Sequence, residues 1–331
     1  MLLCTLLSSV VFGQDIHFTQ FYEPQLTLNP ANTGRFVGSW RVNGIYRNQW
    51  GSIAKPYVTT ALSFDKQFQL KKHTFGLGAY YAFDQSANQT LFLNKLMLSA
   101  AYHLALGKHQ LAAGFQAGIN NRFLNFNNFS YPGQFDNNIG AFNTTFASGE
   151  TFANTSATYF DMNTGVNYKT RLNDKFLLDI GLSVFHFNWP RESFNGAKSN
   201  KVPSRNIISS GINYNLNERS FLTGHVLYMY QKKASDLLLA AHYNYRMAPN
   251  KSNVSLIFGG LATRTGFGRN VDALALILGA EIYSYRVGLA YDINISKLST
   301  STFYRGAFEL SVTYIAPYPS PKKYTIPCEI Y

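Results

Sequence analysis

The chain is poor in charge. Asp, Glu, Lys and Arg make up 14% of its 331 residues, against roughly a quarter in an ordinary soluble domain. Cysteine is nearly absent, with Cys4 and Cys328 alone, so a disulfide scaffold is excluded. No stretch reaches the roughly 20 consecutive apolar residues of a spanning helix, which excludes a helical membrane protein. Acids are the scarcer sign: 17 against 29 Lys and Arg, a net charge of +12. Aromatics, by contrast, are in excess, with 27 Phe, 22 Tyr and 3 Trp. That much apolar surface excludes disorder. What remains is an all-β chain, a transmembrane antiparallel β-barrel girdled by aromatic residues.

Period-two alternation carries this reading, because successive side chains of a strand point to opposite faces. Near the C-terminus Phe308, Leu310, Val312 and Tyr314 share one face, and Arg305, Ala307, Glu309, Ser311 and Thr313 the other. Before that, Val287, Leu289, Tyr291 and Ile293 oppose Arg286, Gly288, Ala290, Asp292 and Asn294. Near the start, Trp40, Val42 and Tyr46 oppose Arg41, Asn43 and Arg47. A soluble sandwich also alternates, but its outer face is usually charged. Here the polar face is mostly Gly, Ser and Asn, which suits a confined lumen.

About 14 such segments follow one another, each near the 9–11 residues of a tilted membrane strand. Their expected spans are 36–48, 57–66, 74–84, 93–104, 109–121, 158–168, 175–186, 205–216, 219–231, 235–247, 253–264, 271–282, 284–295 and 303–315. An even count places both termini on one side. Short connections such as Ala105 to Lys108 and Ala248 to Ser252 follow even strands, and the two longest, Arg122 to Ala157 and Phe187 to Ser204, follow odd ones. Barrels of the outer membrane keep short turns in the periplasm and long loops outside, so both termini are expected to be periplasmic.

Outside the barrel of residues 36–316, three segments stand apart. Residues 1–13 form an apolar run ending in the small Gly13, as in a signal peptide, although the basic start of such a leader is missing. Residues 14–35 are expected as a periplasmic arm or a plug entering the lumen. Residues 317–331 hold Pro317, Pro319, Pro321 and Pro327 and read as a periplasmic tail, since proline disfavours a strand.

Several residues are candidates for a site. Arg286, Asp292, Asn294, Arg305 and Glu309 fall on the inward faces of the last two strands, where opposite charges on adjacent strands pair and stiffen the wall. Arg47, Gln49 and Trp50 sit at the first rim, with Trp50 expected in the aromatic girdle and secondarily as a partner contact. Tyr131, Phe135 and Asn137 lie in the longest, Asn-rich loop and are candidate partner contacts, as loop amides and aromatics often are. No catalytic, cofactor or metal site is expected. His186, His225 and His242 lack ligand spacing, Ser183 and His242 have nothing in sequence to bring them together, and Gly266-Phe267-Gly268 lies between strands and not before a helix. The Lys and Arg residues are dispersed, which argues against nucleic acid and for lipopolysaccharide headgroups or an acidic partner.

One ordered series is more specific. It runs Asp15-Ile-His-Phe-Thr-Gln-Phe-Tyr, Leu28-Asn-Pro-Ala-Asn-Thr-Gly, Arg47-Asn-Gln-Trp and Pro56-Tyr57, then Tyr291-Asp-Ile-Asn-Ile-Ser and Gly306-Ala-Phe-Glu-Leu-Ser. This resembles the PorP/SprF family of the Bacteroidota type IX secretion system. The resemblance implies an outer-membrane barrel that docks or anchors exported adhesins with C-terminal sorting domains and meets periplasmic secretion components, through its turns and N-terminal arm. Family members often finish in Cys-Pro-Arg-Phe, whereas this chain ends Pro327-Cys328-Glu329-Ile330-Tyr331. The alternative is a passive porin or hydrophobic-ligand transporter.

Overall fold

The computed structural model describes residues 15–319, apart from 52–54, 87–88, 126–129, 144, 148, 150–154, 195–199, 249–252, 267–270 and 298. The leader, most of the proline-rich tail and both cysteines lie outside the described residues.

Fourteen strands form the wall: β1 (Trp40–Gln49), β2 (Tyr57–Leu70), β3 (His73–Ser86), β4 (Leu91–Leu106), β5 (His109–Leu124), β8 (Ser156–Arg171), β9 (Phe176–Phe185), β10 (Arg205–Asn215), β11 (Ser220–Gln231), β12 (Ala234–Arg246), β13 (Val254–Thr265), β14 (Val271–Ile282), β15 (Tyr285–Asn294) and β16 (Arg305–Ala316). The two missing numbers, β6 (Phe135–Asp136) and β7 (Ala141–Phe142), make a small hairpin within the longest loop. Each wall strand is antiparallel to its neighbours, and β1 closes on β16 with Trp40 opposite Ala316 and Gln49 opposite Ala307. Closure leaves no unpaired edge, a requirement in hydrocarbon, where each unsatisfied backbone group costs several kcal/mol.

The alternation sorts side chains as the pleat demands. Leu62, Leu77, Leu98, Ile119, Phe160, Leu182, Leu261 and Leu278 are exposed on the outside, and Asn43, Ser63, Gln116, Asn163 and Ser311 are buried within. Aromatic side chains cluster near one end of the wall, where Trp40 packs on Tyr314 at 5.1 Å and Tyr314 on Tyr285 at 4.7 Å between ring centroids. Near the other end Phe92 stacks on Phe123 at 4.6 Å. We call these the turn end, which carries Lys71-Lys72 and Gly107-Lys108, and the loop end, which carries 125–155 and 186–204.

The described chain begins inside the lumen. Asp15 lies at the loop end, and residues 15–34 descend through the barrel to the turn end before β1 starts the wall. This segment is a plug. The sequence left it open between a periplasmic arm and a plug, and most of it is buried in the lumen. Phe18 and Leu26 pack with Ile45, Ala61, Tyr80 and Met97 on one side of the lumen. Phe21, Tyr22 and Leu28 pack with Phe185, Ile207, Leu227 and Phe258 on the other.

Candidate functional site

The plug's local structure follows from its sequence. Asn29 caps a short 3-10 turn, its side chain accepting from the Ala31 amide at 2.9 Å with Pro30 at the first position, as capping favours. The same Asn29 donates to the Val166 carbonyl at 2.9 Å. Gln116 donates to Leu26 O at 2.9 Å, and Ser183 to Leu28 O at 2.6 Å. The wall thus satisfies plug carbonyls that no helix or sheet ladder takes up, as buried backbone requires. Two wall glycines allow the approach. A Cβ at Gly114 would stand 2.3 Å from the Pro30 carbonyl carbon, and one at Gly165 would stand 2.2 Å from Asn29 Oδ1.

Two buried ion clusters hold the plug near the loop end. In the first, Glu309 accepts from the backbone amides of Thr19 and Gln20 at 2.7 and 2.8 Å. Asp292 accepts from the Thr19 hydroxyl at 2.8 Å. Arg47, 2% exposed, bridges Asp292 at 2.9 Å and Glu309, and Arg264 approaches Asp292 at 3.9 Å. Two carboxylates thereby meet two guanidiniums, which is how buried charge becomes tolerable. In the second cluster Asp15 meets His186 at 3.2 Å, Arg205 at 3.3 Å and Lys95 at 3.7 Å. Asp161 meets His186 at 2.8 Å and Lys95 at 3.6 Å. Burial alone would raise the Asp15 carboxyl, but Arg205, Lys95 and His186 together hold it well below the ordinary range.

His17 lies between the clusters. Its Nε2 faces Arg264 Nη1 at 3.4 Å and its Nδ1 faces the Asp15 carbonyl at 3.4 Å. A guanidinium only donates, so Nε2 accepts and Nδ1 carries the proton. Burial, then the charges of Arg264 and Arg47, push His17 down to about 3. Deeper in the lumen Tyr22 stacks on His225 at 4.6 Å, and its hydroxyl meets His242 Nε2 at 2.9 Å. Towards the turn end Glu23 receives Arg286 at 2.9 Å, Asp65 receives Arg41 and the Gly34 amide, and Arg35 pairs with Asp179.

The sequence candidates divide. Asp292 and Glu309 meet around Arg47. Arg286 also points inward but pairs with Glu23 and Glu281, not with Asp292. Asn294 donates to Thr302 at 3.0 Å. Arg305 is not in the lumen. A register irregularity after Tyr291 sets Arg305 opposite the outward Ile293, and its side chain is exposed. Arg47, expected at a rim, is buried in the first cluster. Trp50, expected in the girdle, packs on Tyr57 at 5.3 Å and borders a cavity of about 680 Å³ at the loop end. Asp15, Arg122, His186 and Glu192 also line that cavity. Phe135 and Asn137 are exposed on the outer hairpin and Tyr131 is half-buried beside it. Ser183 and His242 have separate partners, Leu28 and Tyr22. No group of three metal-binding side chains occurs among the described residues.

Sequence reasoning missed Lys95, His186 and Arg205 as partners of Asp15, and Asp161 as the second carboxylate on Lys95 and His186. The only signal was a charged residue at inward parity, as for Lys95 in the fourth segment.

The fold is similar to that of a monoaromatic hydrocarbon channel, CymD, at a TM-score of 0.51 and 12% identity, over 88% of this chain and 91% of that one. The toluene transporter TodX of Pseudomonas putida aligns at 0.48 and 13%, over 87% and 91%. No curated protein matches the chain. The profile of the type IX secretion system membrane protein PorP/SprF matches residues 10–314. The chain belongs to the PorP/SprF family. Family and closed barrel together place this PorP/SprF protein in the outer membrane, as a membrane barrel of type IX secretion.

Proposed function

We propose that this barrel is a plugged docking component of type IX secretion, with its loop end outside the cell and its turn end in the periplasm. The observation that carries this reading is the β6–β7 hairpin. It exposes Phe135, Ile139 and Phe142, with Phe146 exposed just after it, at 42–65%, and Phe135 and Phe142 lie edge to face at 5.3 Å. Apolar side chains clustered on an external loop mark a protein contact. Exported adhesins with C-terminal sorting domains are the partners, held by Tyr131, Phe135 and Asn137 of the long loop and, secondarily, by Trp50. Exposed Lys55, Arg191, Lys201, Lys233, Lys297 and Arg305 at the loop end face the anionic headgroups of lipopolysaccharide. A passive porin or hydrophobic-ligand transporter has only the shared barrel architecture in its favour, and the buried plug opposes it.

Deletion of residues 125–150 tests the assignment. The variant is expected to keep the heat-modifiable migration of a folded barrel and to lose secreted adhesins from pull-downs. Undiminished adhesin recovery would contradict the reading.

A further inference from the structure

The turn end carries a charge pattern that the plug and the loops do not use. Among the described residues, its connections from β2 to β11 show six exposed cations: Lys71 and Lys72 between β2 and β3, Lys108 between β4 and β5, Arg171 and Lys175 around the β8–β9 turn, and Arg219 between β10 and β11. Two exposed carboxylates accompany them, Asp174 and Glu218. Among the described residues none of the six stands in an ion pair. The barrel order β2-β3-β4-β5-β8-β9-β10-β11 makes these turns consecutive, so the cations form one arc. Next along the rim Arg246, at the end of β12, is exposed and lies over the Phe221 ring at 4.4 Å; from β14 to β1 the exposed side chains among the described residues are Ile282, Tyr283, Tyr285, Pro317, Tyr318, Pro319 and Val37, none of them charged.

The arc also projects. β2 pairs Lys66 with Trp40, the first residue of β1, and runs on to Leu70. Four further tilted residues carry Lys71 and Lys72 about 10 Å beyond the start of β1. Lipid headgroups surround a barrel evenly and would call for a ring of cations on the outer wall. A one-sided arc on turn tips that point along the barrel axis fits a single protein surface of opposite charge.

We propose that this arc docks an acidic face of a periplasmic protein. The inference rests on the periplasmic placement of the turn end proposed above, and deepens it by giving the partner's charge. At the ion-pair distances of such a rim the attraction is screened beyond about 8–10 Å in physiological salt, so the contact must be close and salt-sensitive.

The test places a photo-cross-linking residue at Leu172, within the arc, or at Tyr283, outside it, in the full chain in cells. The expected result is an adduct from position 172, but not from 283, with a periplasmic protein that bears an acidic patch. Combined Lys71→Glu, Lys72→Glu, Lys108→Glu and Arg219→Glu should lower that adduct about tenfold, and reversing the partner's acids to Lys should restore it. For the unreversed chain in isolated membranes, raising salt from 0.05 to 0.5 M should weaken the adduct, a readout independent of any folding defect in the variant. An adduct unchanged by charge reversal and by salt, or one made only with phospholipid, would overturn the proposal. Labelling of a Leu172→Cys chain on intact cells by a membrane-impermeant maleimide, above the level of the parent chain, would overturn the orientation itself. Labelling only after the outer membrane is opened keeps the two readings separable.

Discussion

The loop end and the turn end are built from the same alternating strands, yet they place charge differently. Near the loop end Lys55, Arg191, Lys201, Lys233, Lys297 and Arg305 are exposed, but the buried charges face inward and hold the plug. Arg47 and Arg264 are matched by Asp292 and Glu309, and Lys95 and Arg205 by Asp15 and Asp161. At the turn end the six cations of the arc outnumber the exposed Asp174 and Glu218 on the same turns, and none of them stands in an ion pair among the described residues. Buried, balanced charge positions a segment of the chain itself, whereas exposed, unbalanced charge is available to another molecule.

The sharpest way to break this contrast is to remove Arg47. Arg47→Ala leaves Asp292 and Glu309 buried without their guanidinium, a loss of about 3–5 kcal/mol. The urea midpoint of the reconstituted barrel should fall accordingly, and an unchanged midpoint would show that the cluster does not hold the plug.

Acid should act more gently, and on the plug alone. His17 is held near 3 in the lumen against about 6.5 in a free chain. Between these values a displaced plug binds a proton that a seated plug does not, so seating is favoured above about pH 6.5 and weakens as pH falls towards 3. At pH 5 the loss is on the order of 1–2 kcal/mol. The protection factors of the amides of residues 16–22, each taken against the intrinsic exchange rate at that pH, should fall between pH 7 and 5, and His17→Gln should lessen that fall. The depressed Asp15 works at the acid extreme. Its contribution is present above the ordinary carboxylate range and is lost as pH falls through its lowered value.

Arg305 supplies the smallest effect. It lies outside the lumen, so Arg305→Gln should lower the unfolding free energy read from urea melts by less than about 0.5 kcal/mol. A loss comparable to that of Arg47 would place Arg305 in the inner network after all.

The wall was legible because pleat alternation depends only on near neighbours in sequence. Each of the fourteen expected segments overlaps one wall strand, and the errors are confined to ends, as where β1 starts at Trp40 and not at residue 36. The plug's partners were not legible. Glu309 reaches the amides of Thr19 and Gln20 across nearly the whole chain, and no local pattern encodes such a pairing. Arg305 was misread for a related reason. Parity predicts a side chain's face only while register holds, and the irregularity opposite Asp292 turns it over.

The central claim is that residues 15–34 fill the barrel, so that the protein acts through its surfaces and not as a pore. Planar-bilayer recording tests it most directly. The full chain should give no steady conductance, and Gly114→Leu, which drives a side chain into Pro30, should unseat the plug and open ohmic steps. Steady open-pore currents from the unaltered protein would contradict the account.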